Sequence, residues 1–227
     1  MFGRPICGVV VLLAFAGCGE SRPAATIADP PKKPKRTEPQ KLDIRPVEVE
    51  ADEFSSVDVA LTELEQVLKL PPGEERNRAE IRVQNWLTIQ QDKAAPIVAK
   101  RAADPQESLE MRITACRILG KLGPTGTETL VTIAKQGESS QLRRKAIQTL
   151  GLMPANKEAI VELIAMLDEP NTQILGEVID ALKRFGTAAK DAADKLNTLR
   201  KGHAEEQIRV ASGQALKKID PRTTFVD

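Results

Sequence analysis

The chain has 227 residues, with 33 Lys+Arg against 32 Asp+Glu, 41% hydrophobic residues, only 3% aromatic ones, a single His and no Tyr. A net charge of +1 argues against a general nucleic-acid binder, which needs an excess of cations to neutralise phosphates, and the scarcity of rings argues against a stacking platform for bases or sugars. The apolar fraction suffices for a folded core, while one His and three Cys leave little material for a metal centre.

Residues 1–17 read MFGRPICGVVVLLAFAG: one positive charge at Arg4, an apolar run, then small residues up to Cys18. That is the layout of a secretory signal segment. The run falls short of the roughly 20 apolar residues that a membrane-spanning helix needs. Phe15-Ala16-Gly17-Cys18 resembles the lipobox of bacterial lipoproteins, with Phe15 where Leu is commonest. The resemblance implies cleavage before Cys18, a lipid on Cys18 as the membrane attachment, and a periplasm-facing place in the cell envelope. Because Gly19 rather than Asp follows Cys18, it also implies the outer membrane in preference to the inner one. Cys7 would leave with the signal segment and Cys18 would be alkylated. Cys116 would then be the remaining free thiol, with no intramolecular disulfide to form.

Residues 18–53 carry six prolines (Pro23, Pro30, Pro31, Pro34, Pro39, Pro46) and no sustained apolar periodicity. Proline removes backbone donors and fixes φ, so this stretch is expected to be a disordered tether. In polyproline II it would reach about 110 Å at about 3.1 Å per residue. Its basic cluster, Lys32-Lys33-Pro34-Lys35-Arg36, reads first as a solubilising run, with contact to anionic headgroups as the alternative. Residues 56–70 (SVDVALTELEQVLKL) then form an amphipathic helix with Ser55 or Ser56 as N-cap, stopped by Pro71-Pro72-Gly73. Residues 54–76 are expected to cap the N-terminal end of a repeat array occupying 77–227.

The array shows as internal repetition. MRITACRILGKLG at 111–123 aligns with LRRKAIQTLGLMP at 142–154, ILGEVIDALKRFG at 174–186 and IRVASGQALKKID at 208–220, and IRVQNWLTIQQ at 81–91 is a degenerate earlier copy. The alignment makes five apolar columns: Met111, Leu142, Ile174 and Ile208; Ala115, Ala146 and Val178, with Ser212; Cys116, Ile147 and Ile179, with Gly213; Leu119, Leu150, Leu182 and Leu216; and Leu122, Met153, Phe185 and Ile219. Within one copy these positions fall on one face of a helix. Each copy is followed by a Gly-, Pro- or Asp-containing turn and a second apolar helix, at 94–103, 127–135, 157–167 and 188–199. Such a helix pair cannot bury its own apolar face, and stacking copies solves that. The fold class is therefore all-α, an α-solenoid of antiparallel helix pairs.

The order Arg, Ala, Leu-Gly and then a Gly or Pro turn resembles HEAT repeats, most of all the short bacterial HEAT-like repeats also seen in phycobilisome-lyase relatives. Arg112, Arg143, Arg209 and Arg82 hold the arginine position of that motif, and Leu175 interrupts the series. The resemblance implies second helices lining the concave side. Exposed positions there are Lys100, Arg101, Glu128, Thr132, Lys135, Glu158, Glu162, Lys190, Asp191, Asp194 and Lys195. Their signs are mixed, which favours a protein partner over a phosphate backbone.

Chemistry is scarce. His203 is a lone histidine in a link, Cys116 shares a column with Ile147 and Ile179, and Trp86 falls on an inward face. The acidic pairs Glu74-Glu75, Asp168-Glu169, Asp191 with Asp194 and Glu205-Glu206 lie at turns or helix starts, where they complement the helix dipole. No nucleotide, hydrolase or metalloprotease motif is present. The expectation is a non-enzymatic, lipid-anchored adaptor for another protein, without cofactor or metal. A lyase-like accessory with a concave pocket and a purely structural envelope spacer are the rivals.

Overall fold

Four of the helices among the described residues start where a short polar side chain takes a free amide. Ser56 Oγ accepts from Val59 N at 3.2 Å and Ser108 Oγ from Met111 N at 3.1 Å. Asn156 and Asn171 do the same for the amides of Glu158 and Gln173, at 2.8 and 3.0 Å. Each cap satisfies a donor that has no partner within the helix. The computed structural model describes residues 53–222. The signal segment, Cys18 and the expected tether up to residue 52 lie outside the described residues.

Ten α-helices follow in chain order among the described residues: α1 (Val57–Lys69), α2 (Glu74–Ile89), α3 (Gln91–Ala103), α4 (Leu109–Lys121), α5 (Thr127–Gln136), α6 (Ser140–Leu152), α7 (Lys157–Ala165), α8 (Thr172–Phe185), α9 (Ala193–Gly202) and α10 (Glu206–Ile219). No strand occurs among them. The fold is an all-α solenoid. First helices α4, α6, α8 and α10 lie side by side, and second helices α3, α5 and α9 each pack on the first helix that follows. The five columns form the core. Met111, Leu142 and Ile174 are fully buried, as are Leu119, Leu182 and the odd member Ser212, while Met153 and Phe185 are half-buried.

Neighbouring first helices touch along their length, whereas neighbouring second helices touch little. Two glycines make the close spacing possible. A Cβ on Gly120 would sit 2.3 Å from Thr149 Cγ2, and one on Gly151 would sit 2.8 Å from the Ala181 Cα, a backbone atom that cannot rotate away. The Leu-Gly of the repeat is thus a contact between helices. In a curved stack the more closely spaced layer is the inner one, so the first helices line the inside.

The arginines tie repeats together. Arg112 Nε donates to Ala102 O at 3.1 Å, at the end of α3, and Nη1 reaches Glu138 at 3.0 Å. Arg143 repeats the arrangement, with Nε on Ala134 O at 2.8 Å and an ion pair to Glu169. Arg209 Nη1 donates to the carbonyls of His203 and Ala204 just beyond α9, at 2.7 and 2.8 Å. Each guanidinium meets carbonyls that a helix end leaves free.

The structure departs from the sequence reading at the N-terminal end. The boundary expected between 76 and 77 runs through α2, which begins at Glu74. Ile81 and Ile89 of the degenerate copy are exposed, and α2 buries Glu80, Val83, Gln84, Trp86 and Leu87 instead. Arg82 caps no helix; it lies 3.0 Å from Glu53 and 3.5 Å from Glu63, over the ring of Phe54. Two expected second helices are broken: α7 ends at Ala165 in a 3-10 turn, and residues 186–192 form a 3-10 segment ahead of α9.

Candidate interaction surface

With the columns turned inward, the opposite side of each first helix is half-buried or exposed, apart from Thr114 on α4, which is fully buried. Ile113, Arg144, Gly176 and Val210 occupy equivalent places on α4, α6, α8 and α10, as do Thr114, Lys145, Glu177 and Ala211. The chemistry of this face changes from seam to seam.

At the α2–α4 seam the join is polar. The Glu80 carboxylate accepts from Arg117 Nη2 at 2.5 Å and from Gln84 Nε2 at 2.7 Å. The Gln84 carbonyl oxygen accepts from Lys121 Nζ at 2.8 Å, and Arg117 also donates to Thr114 Oγ1 at 2.9 Å. Burial, with the Arg117 charge adding to it, pushes the Lys121 ammonium pKa below the ordinary lysine range. Between α4 and α6 lies a hollow of about 250 Å³ lined by Ile113, Gln141, Arg144, Lys145 and Gln148. Arg144 then spans to α8, placing Nη2 2.8 Å and Nε 3.2 Å from one oxygen of Glu177.

Between α8 and α10 the sign reverses. Two hollows of about 390 and 450 Å³ share Asp180, Gln207 and Ala211; Glu177, Glu205 and Glu206 stand around them and outnumber the cations there, Arg144 and Lys183. Asp180 is paired with Lys183 at 2.6 Å. The floor is open because Gly176 has no side chain, and a Cβ there would meet nothing within 4 Å.

The residues singled out from sequence fall elsewhere. Lys100 and Arg101 lie on α3, Glu128, Thr132 and Lys135 on α5, Glu158 and Glu162 on α7, Lys190 and Asp191 in the 3-10 segment, and Asp194 and Lys195 on α9. Most are exposed, but Arg101, Glu162 and Lys195 are half-buried. Lys135 pairs with Glu162 at 2.8 Å and Lys195 with Asp168 at 2.5 Å, so these side chains brace successive repeats of the outer layer. None of them lines the hollows just described. The hollows lie on the layer of the first helices, whereas the positions expected from sequence lie on the second helices and the 3-10 segment. The missed signal was in the alignment itself, where Gly176 and Ala211 are small at places that hold Ile113, Arg144, Thr114 and Lys145 in earlier copies.

The remaining groups of interest are structural. Cys116 is fully buried, and burial pushes its thiol up to about 12, so it stays protonated and unreactive in the folded chain. Trp86 packs edge-on to Phe54 at 5.2 Å between centroids. His203 Nδ1 accepts from Glu205 N at 3.1 Å, shaping the link into α10. Among the described residues no group of three or more His, Cys, Asp or Glu could hold a metal ion, and no helix is long and apolar enough to cross a membrane.

Residues 127–217 match the family model described as HEAT repeats. No curated protein matches the chain. Among solved structures it is similar to the complex of CpcE and CpcF of phycocyanin lyase from Nostoc sp. PCC7120, with a TM-score of 0.54 and 17% identity over 69% of this chain and 97% of that one. A second similar structure is an engineered protein from a structural genomics consortium, with a TM-score of 0.46 and 18% identity over 72% of this chain and 80% of that one. The likeness to the lyase chain is one of fold.

Proposed function

We propose that this chain is a non-enzymatic adaptor, held at a bacterial envelope membrane by a lipid on Cys18, that binds another protein through the exposed face of its first helices. The observation that carries the reading is that face: four helices in register, closely spaced through Gly120 and Gly151, polar at the surface and hollowed at two seams. Helices of 13–14 residues are about 20 Å long, and at roughly 10 Å spacing four of them offer on the order of 800 Å², one side of a standard protein interface. The similar structure is itself a complex of two proteins, which supports a protein as the partner class. In this reading residues 1–17 are removed, 18–53 tether the domain, the repeats begin with α2, and the outer membrane is the preferred site.

A lyase-like accessory needs polar groups converging in one pocket. The hollows are open, and the Arg144–Glu177 and Lys183–Asp180 pairs neutralise one another, so the adaptor reading is preferred. Proximity labelling from the chain in its native envelope tests it. Reversing charges on α6 and α8, at Lys145 and Glu177, should abolish labelling of the neighbours that the wild type marks. Reversals on the outer layer, at Lys100, Glu128 and Glu158, should leave those neighbours in place. Equal patterns for both sets would favour a passive spacer. For the anchor, a fatty-acid analogue should label the wild type and not Cys18→Ser; label persisting in the variant removes Cys18 as the attachment point.

A further inference from the structure

The first-helix face has a direction: Arg144 and Lys145 line the hollow at α4–α6, while those at α8–α10 carry Glu177, Asp180, Glu205 and Glu206 against Arg144 and Lys183. The acidic end differs from the rest of the face in three independent respects. Its floor is cut away at Gly176, where a side chain would meet open space. An apolar side chain, Val210, stands 52% exposed at its edge, at the place where α4 carries the half-buried Ile113. Of its carboxylates, Glu177 and Asp180 are matched by Arg144 and Lys183, whereas Glu205 and Glu206 make no ion pair among the described residues. A groove with an apolar shoulder and unmatched negative charge at its rim fits a side chain that is aliphatic along its stem and cationic at its tip.

We infer that the α8–α10 groove seats a basic, amphipathic segment of the partner protein, with a Lys or Arg stem laid over Gly176 and Ala211 against Val210 and its charge between Asp180 and the Glu205-Glu206 pair. The inference rests on the adaptor reading and adds the chemistry of what is bound. The segment's register is set by shape, because Gly176 leaves the α8–α10 hollow without the side chain that the equivalent places carry on the other first helices. Its direction is set by charge, because Lys145 in the α4–α6 hollow makes no ion pair among the described residues, whereas Arg144 is held by Glu177.

Two variants separate shape from charge. Gly176→Leu fills the floor, and since its Cβ meets no neighbour the helix should fold unchanged. Glu205→Lys with Glu206→Lys reverses the rim. Circular dichroism and the denaturation midpoint establish that both variants are folded. The probe is a short fluorescein-labelled peptide of Lys and Leu, titrated against the full chain at several salt concentrations, with a Glu/Leu peptide of equal length as control. The expected result is saturable binding of the Lys/Leu peptide alone, weakened at least tenfold by either variant. Loss in the rim variant with no change in Gly176→Leu would mean diffuse charge attraction and overturn the seat. Equal binding of the Glu/Leu peptide, or no binding of the Lys/Leu peptide to the wild type, would overturn it as well. If proximity-labelled neighbours persist in Gly176→Leu, the adaptor reading stands and the groove falls; if the wild type marks no reproducible neighbour, the adaptor reading itself falls.

Discussion

Two seams of the same layer are built on opposite principles. Between α6 and α8 the backbones meet: Gly151 lies against Ala181, and Leu150, Ile147 and Val178 close the core beneath. Between α2 and α4 the helices are joined through side chains, with buried Glu80 and Gln84 holding Arg117 and Lys121. The first seam allows one spacing, because a backbone contact has no rotamers to adjust. The second is satisfied by any set of long polar side chains that can reach. The family model matches 127–217, which contains the contact of Gly151 with Ala181 and begins after α4.

The contrast is sharpest at Leu150, which is 1% exposed. Leu150→Ala should cost about 2–5 kcal/mol, because a seam locked by backbone contact cannot collapse into the cavity. Chemical denaturation measures it, and a loss under about 1 kcal/mol would show the seam to be more compliant than argued. Gly151→Val follows at about 1–3 kcal/mol or somewhat more, from overpacking against Ala181. Gly176→Ala on the next helix is its control; with open space around the new methyl, it should be neutral or gain up to about 1 kcal/mol.

At the polar seam the effects should be smaller. Glu80→Gln removes a charged acceptor from Arg117 and should cost about 1–2 kcal/mol. Lys121 gives the seam a pH signature. Its folded-state pKa is depressed, so as pH rises the folded chain gives up this proton before the unfolded chain does. The unfolded state then binds more protons, and stability contributed by this group increases with pH up to the ordinary lysine pKa of about 10.4. Cys116 acts in the opposite sense, since the folded thiol holds its proton up to about 12 while the unfolded one releases it from about 9.0. The difference between wild type and Lys121→Met cancels the thiol and should rise with pH in that window; a flat difference would mean that Lys121 is not desolvated at the seam. Gln148→Ala, at the half-buried rim of the α4–α6 hollow, should change stability by no more than about 0.5 kcal/mol.

The five columns were legible in sequence because four copies bury the same positions, and a column such as Leu119, Leu150, Leu182 and Leu216 repeats whatever the neighbours do. Ile81 and Ile89 misled because α2 meets α4 through Glu80 and Gln84, so apolar character no longer marks its inner side. The hollows of the first-helix layer were not legible for a different reason. Sequence tells which residues of a helix are exposed, but which layer is more closely spaced depends on approaches between helices, Gly120 to Thr149 and Gly151 to Ala181, that no single helix encodes.

The arginine series has one gap, at Leu175, and it falls beside the shortest α-helix among the described residues, α7. Without a guanidinium from α8, the end of α7 is closed by its own 3-10 turn, and α7 packs on α8 less extensively than α5 packs on α6. In a nearest-neighbour array each interface opens according to its own free energy. Amide hydrogens of α7 should therefore exchange ahead of those of α5, and Leu175→Arg, by offering a donor to the carbonyls at the end of α7, should slow them. α7 is then the part of its layer that opens first, over a first-helix layer held closed by Gly151 against Ala181.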